Sequence, residues 1–174
     1  INILGARAIT RKDELAIDVF YVEGNEGGVV SDLRTRERCE SSIQSFLLGE
    51  SSPSKLISEK RKKNDRNRLF SNEDKLGEKI PPRVDVYRDV SLGRTIVEVR
   101  APDQVGLLHV IAKSISDCGF TIVFARIATE QGIATDIFNI ERANEDEDFS
   151  PSRFLDLREQ ISHALNKGKY YHEV

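Results

Sequence analysis

A ferredoxin-like α+β sandwich, with elements in the order βαββαβ, is the fold class this sequence predicts, and three observations predict it. The first is the run from Arg94 to Arg142, where apolar spacing switches from strand to helix and back. The second is an amphipathic pattern opening at Ser150-Pro151, with Phe154, Leu157, Ile161 and Leu165 on one face. The third is an internal repeat. Ala6-Arg7-x-x-Thr10 followed by Asp18-x-Phe20-x-Val22 returns as Ala125-Arg126-x-x-Thr129 followed by Asp136-x-Phe138-x-Ile140. The offset slips by one residue inside the turn, so opposite pairs keep their partners: if Ile127 faces Asp136, Ala8 faces Asp18.

In order along the chain, residues 1–11 and 16–23 read as two strands around a tight polar turn. They form a first copy of the unit that lacks its opening strand and helix. Such a sheet is expected to expose an edge and an apolar face, covered by an upstream part of a longer parent or by a partner chain. With no methionine in 174 residues, the chain is expected to be a fragment of that parent. Residues 32–48 read as a helix striped by Leu33, Cys39, Ile43, Phe46 and Leu47 and stopped by Gly49. Residues 50–82 have few apolar residues, a basic run from Lys60 to Lys63 and two prolines. They read as a solvated, flexible basic linker, with a patch for phosphates or a protein as the minor reading. Residues 83–90 alternate as a strand, expected to be the last of the first copy.

In the second copy, residues 94–99 are β-rich and Ala101 to Gly106 breaks the strand. Leu107, Leu108, Ile111, Ile115 and Cys118 have helical spacing, and Gly119 stops that helix. Residues 120–129 and 133–140 read as strands around a Gln131-Gly132 turn. The last helix should end at Gly168, and residues 169–174 start a closing strand. The expected domains are thus 1–90, an incomplete first copy with its linker at 50–82, and 91–174, the second copy.

Composition narrows the function. Hydrophobic residues make up 39% and charged residues 32%, with a formal charge of −3, which speaks against bulk electrostatic binding of nucleic acid. No apolar run approaches the roughly 18 residues of a membrane span and no signal peptide is visible, so a cytoplasmic location is expected. Cys39 and Cys118 read as small thiols on helix faces in a reducing compartment. His109, His163 and His172 are scattered, without neighbours at metal-ligand spacing, so no metal is expected. Phosphate-binding and hydrolase motifs are missing, and no catalytic residue is assigned. Asp18 and Asp136 form a repeated carboxylate whose place beside the hairpin favours a structural role.

The binding candidate is Asp103-Gln104-Val105-Gly106-Leu107. A glycine at a helix entry lets backbone N–H groups approach a ligand, and the helix N-terminus favours a carboxylate. Asp103 could cap the helix or meet an ammonium group. A plain turn and N-cap explains the same residues equally well.

The pattern of a strand, Asp103-x-x-Gly106-Leu107-Leu108, a helix, Gly119, Ala125-Arg126-Ile127, Gly132 and Asp136-x-Phe138 resembles an ACT domain. The tandem arrangement is similar to the C-terminal ACT pair of the bifunctional [protein-PII] uridylyltransferase/uridylyl-removing enzymes. That resemblance covers residues 1–30 and 83–168. It implies a module that senses an amino acid, glutamine foremost, and so switches its parent between uridylylating the PII signal protein and removing the uridylyl group. The chemistry would lie in other domains of the parent, with Mg as the parent's cofactor and none in this chain. ACT ligands sit where the loop of one domain meets strand starts of its neighbour. By position these are Asp103, Gln104, Gly106 and Leu107, facing Asn2, Ile3, Thr121 and Ile122. The implied partners are a small amino acid, the parent's other domains, the PII protein through the parent, and a second ACT domain or a homodimer mate, without nucleic acid or membrane. Two alternatives stay open: an ACT pair regulating another enzyme of amino-acid metabolism or a stringent-response synthetase, and a purely structural dimerisation module.

Overall fold

The computed structural model describes residues 1–10, 16–24, 27–68, 80–91, 93–143 and 151–170. Among the described residues, seven strands and four helices follow in the order β1 (Asn2–Thr10), β2 (Ala16–Glu23), α1 (Leu33–Leu47), α2 (Pro53–Arg68), β3 (Arg83–Asp89), β4 (Arg94–Pro102), α3 (Leu107–Asp117), β5 (Phe120–Arg126), β6 (Thr129–Glu130), β7 (Ile133–Arg142) and α4 (Pro151–Tyr170). The strands form one sheet, β2-β1-β5-β7-β4-β3, with β6 pairing β7. Every described ladder is antiparallel. This is the mixed α+β class expected, compatible with a ferredoxin-like ACT-type fold.

Two compact units divide the chain: one comprises residues 1–2 and 22–74, the other residues 3–21 and 75–174. That division does not follow the repeat boundary at residue 90, because the β1–β2 hairpin belongs with the second copy. In the larger unit, α3 and α4 cover one face of the sheet. Val97 and Val99 of β4, Ile111 and Ile115 of α3, Ile140 of β7, and Leu157 and Ile161 of α4 are all at most 1% exposed. The α4 stripe read from the sequence is buried at Leu157, Ile161 and Leu165, with Phe154 packed against it. Spacing of three and four residues brings these side chains over the sheet together.

Several elements differ from expectation. The strand β3 does not close the first copy. It pairs along its whole length with β4, from Arg83 opposite Arg100 to Asp89 opposite Arg94. Only residues 90–93 separate the two strands, so a hairpin is the nearest pairing available. In a ferredoxin-like sheet that place, outside the first strand, is where the closing strand would sit. The helix α4 runs past Gly168 to Tyr170, which removes the strand start expected at residue 169; residues 171–174 lie outside the described residues, as does Ser150, the expected cap.

The β5–β7 hairpin keeps the register inferred from the repeat. Arg126 opposite Ile137 and Thr129 opposite Ala134 place Ile127 opposite Asp136. The turn has Gln131 at φ 50 and Gly132 at φ 76, the two left-handed residues a tight hairpin needs. A bulge between Ile122 and Phe124 is not visible in the sequence pattern. The matching turn of the first copy, residues 11–15, lies outside the described residues.

In the smaller unit, α1 starts at Asp32, whose carboxylate accepts from the Thr35 backbone N–H at 3.0 Å and from the Thr35 hydroxyl at 2.6 Å. The Thr35 hydroxyl and N–H hold the Asp32 carboxyl below the usual carboxylate range. Gly49 ends the helix at φ 74, as expected. The apolar stripe is not covered: Leu33, Ile43, Phe46 and Leu47 are all exposed. The segment read as a linker contains the helix α2, rich in Lys and Arg, which are good helix formers that need no core. Its described side chains are largely exposed, Lys55, Lys60 and Lys62 among them. Residues 69–79 lie outside the described residues.

Candidate functional site

The loop between β4 and α3 is built on one glycine. Gly106 stands at the N-cap of α3 with φ 88, a conformation that costs a side-chain-bearing residue roughly 1–2 kcal/mol. Asp103 does not cap the helix, and α3 has no side-chain cap hydrogen bond. The backbone does the work instead. The Leu107 N–H donates to Gln104 O at 3.1 Å, and the Val110 N–H donates to Gly106 O at 3.0 Å. The Asp103 N–H donates to Gly132 O at 2.8 Å, tying the loop to the β6–β7 turn. Asp103 and Gln104 are exposed, Gly106 is half-buried and Leu107 is buried in the core. The arrangement offers a solvent-facing carboxylate beside the positive end of a helix dipole, the two poles an α-amino acid needs.

Directly below sits Asp136, on the helix-facing side of β7 opposite Val99. Its residue is 0% exposed, and neither carboxylate oxygen has a well-formed hydrogen bond among the described residues. Burial pushes its carboxyl up to about 7, the charge of Asp103 adds to the rise, and the nearby Ala128 backbone N–H offsets part of it. At neutral pH the group is therefore poised between acid and carboxylate. The strand alternation placed Asp136 on the core face, and only that pattern could have signalled the burial.

Of the remaining predicted site residues, Ile3 lies at the loop's end of the sheet. The Ile127 N–H donates to Leu4 O at 3.0 Å, which continues the β1–β5 ladder toward Ile3, and Ile3 packs against the core. Asn2 is exposed and falls in the other compact unit. Thr121 and Ile122 are not brought to the loop. They pair with Glu141 and Ile140 at the far end of β7, whereas Pro102, before the loop, pairs with Ile133 at its near end. Strand β5 starts where α3 ends, and a helix of 11 residues carries the chain to the opposite edge of the sheet. Within one chain, the loop and the start of β5 cannot share a small ligand.

Other candidates stay apart. Cys39 and Cys118 are free and half-buried. The Cys118 thiol donates to Gln160 Oε1 at 2.9 Å, and burial pushes it up. His109 is half-buried and His163 exposed, while His172 lies outside the described residues. Among the described residues, no group of three or more His, Cys, Asp or Glu side chains could hold a metal ion, and no helix is long and apolar enough to cross a membrane.

Fold and loop together define an α+β unit of ferredoxin-like type with a glycine-opened helix. Known proteins narrow the class. Along 94% of its length the chain is 26% identical to the bifunctional uridylyltransferase/uridylyl-removing enzyme of Azospirillum brasilense, covering 17% of that protein. It is 28% identical over 97% of its length to the same-named enzyme of Pseudomonas entomophila, covering 18% of it. A third, from Phenylobacterium zucineum, is 31% identical over 82% of the chain and 14% of the enzyme. The chain thus spans less than a fifth of the length of these curated relatives. No family model matches, and no solved structure matches.

Proposed function

We propose that the chain is the regulatory ACT region of a bifunctional uridylyltransferase/uridylyl-removing enzyme, and that it senses a small amino acid, glutamine foremost, at the Asp103–Leu107 loop. The observation that carries the reading is similarity along nearly the whole chain to one segment of those multidomain enzymes, together with the loop's geometry. A ligand carboxylate would meet the positive end of the α3 dipole, and its ammonium would meet Asp103. Ile3 would form the wall at that end of the sheet. Thr121 and Ile122 would contribute only from a second copy or another ACT unit, which makes pairing part of the proposal. The two hairpins then belong to two ACT copies, within 1–90 and 91–174, with β3 lending its edge to the second. Uridylylation of the PII protein, removal of the uridylyl group and the Mg they need belong to the parent's other domains.

Calorimetric titration with glutamine, against glutamate, serine and phenylalanine, tests the reading. Glutamine alone should give saturable heat. Gly106→Val should abolish it while the fold survives, because a β-branched residue at φ 88 closes the loop's approach. Unchanged glutamine binding in that variant sinks the loop as the site. Heat with none of the four leaves pairing as the module's task.

A further inference from the structure

The open face of the sheet, away from α3 and α4, carries a polar site that involves none of the residues 103–107. A cavity of about 360 Å³ lies beside the β6–β7 turn, lined by Arg100, Glu130, Gln131 and Thr135 together with Ala128 and Ile133. That is the lower end of the roughly 300–1,000 Å³ range of small-molecule pockets. Arg100 and Thr135 are direct cross-strand partners, so guanidinium and hydroxyl stand side by side. On its other flank Arg100 is directly opposite Arg83. Like charges so placed repel, and the sheet carries that cost unless an anion sits between or beside them. Asp85 compensates Arg83 at 2.8 Å. Arg100 has no ion pair or hydrogen bond among the described residues, and neither has Glu130.

We propose that this cavity binds a small zwitterion of the amino-acid or guanidino-acid type, its carboxylate on Arg100 and Thr135 and its cationic nitrogen on Glu130. A cation and an anion that line one cavity without touching each other leave a gap that a molecule of both charges closes. The planar guanidinium meets a carboxylate with two parallel N–H donors, and the Thr135 hydroxyl supplies a third. Inorganic phosphate would place its second charge against Glu130, and a simple cation would meet Arg100. The site stands whether or not the helix loop binds anything, because its lining shares no residue with 103–107.

The test follows backbone amide resonances of the full chain during titration with glutamine, glutamate and glycine, with succinate and phosphate as controls. An amino acid should shift the amides of Glu130, Gln131 and Thr135 to saturation, while succinate and phosphate bind more weakly. Arg100→Gln should weaken amino acids and succinate alike by about tenfold or more, as expected for loss of a bidentate charged contact. Glu130→Gln should weaken amino acids toward the level of succinate, and succinate, relieved of the repulsion between its second carboxylate and Glu130, should not weaken. Both side chains are exposed, so unchanged amide dispersion will verify that the variants fold. Absence of shifts at these amides at ligand concentrations up to ~10 mM overturns the proposal. So do shifts confined to residues 103–107, or Glu130→Gln binding like the parent chain. Because the loop and the cavity have separate amides, failure of one is read independently of the other.

Discussion

The β5–β7 hairpin and the β1–β2 hairpin carry the same sequence pattern and meet opposite fates. In the second copy Phe138 is 3% exposed and Asp136 0%; in the first, Phe20 is 53% exposed and Asp18 lies on the surface. Around Phe20, Ile17, Val19, Tyr21 and Val22 are exposed as well, on a strand that ends the sheet. The difference does not lie in the strands. Helices α3 and α4 cover β4, β5 and β7, and no described helix of that unit covers β2. Repeated motifs therefore tell where a hairpin forms, while burial depends on what lies across the sheet from it.

The largest test of that contrast is truncation of the repeated phenylalanine. Phe138→Ala should cost about 3–5 kcal/mol, the loss typical of a fully packed aromatic, whereas Phe20→Ala should stay within about 1 kcal/mol. Urea unfolding of the two variants measures both, and equal losses would mean that β2 is covered in solution.

Next comes the repeated aspartate. The Asp136 carboxyl is raised from 3.8 to about 7, so the folded chain holds a proton that the unfolded chain releases as pH rises above 4. Stability should thus fall between about pH 4 and 7 and level off above. Asp136→Asn should remove that slope and raise stability at pH 8 by about 2–4 kcal/mol, since each pKa unit is worth about 1.4 kcal/mol. Asp18→Asn should change little at either pH. Thermal melts of both variants from pH 4 to 8 make the comparison, and a slope that persists in Asp136→Asn would assign it to another group.

The smallest effect belongs to α1, whose apolar stripe has no cover. Its start rests on the Asp32 cap, so Asp32→Ala should cost about 1 kcal/mol of helix stability and leave unfolding of the larger unit unmoved. Circular dichroism at 222 nm, followed through the melt, separates the two.

Much of the larger unit was legible in the sequence because its signals are local. Helical spacing located α3 and α4, the glycines at 106, 119 and 132 marked a helix entry, a helix stop and a turn, each with positive φ in the structure, and the indel-preserving repeat matched the hairpin register. The misplacements were long-range. Alternation in residues 83–90 identified a strand without saying which edge it joins. Charged residues without apolar partners suggested a linker at 50–82, yet Lys and Arg also favour the helix α2. At the site, motif position named Thr121 and Ile122 as strand starts that face a neighbouring domain's loop; within the chain α3 separates them from residues 103–107. Arg100 and Glu130 were passed over because neither belongs to a motif; cross-strand register alone brings them to one cavity.

The placement of β3 bears on how the chain acquires its shape. A closing strand that followed α4 would have to return to β4 across some 75 residues, whereas β3 reaches it through a turn of four, residues 90–93. Loop-closure entropy grows as the logarithm of the separation, so the short route lowers the ordering cost of that sheet edge by about 2–3 kcal/mol. Contacts so near in sequence also lower the contact order, the quantity that tracks folding speed in small domains. The β3–β4 ladder can thus assemble before α3 and α4 dock, giving the later elements a template rather than waiting for the chain's far end to return.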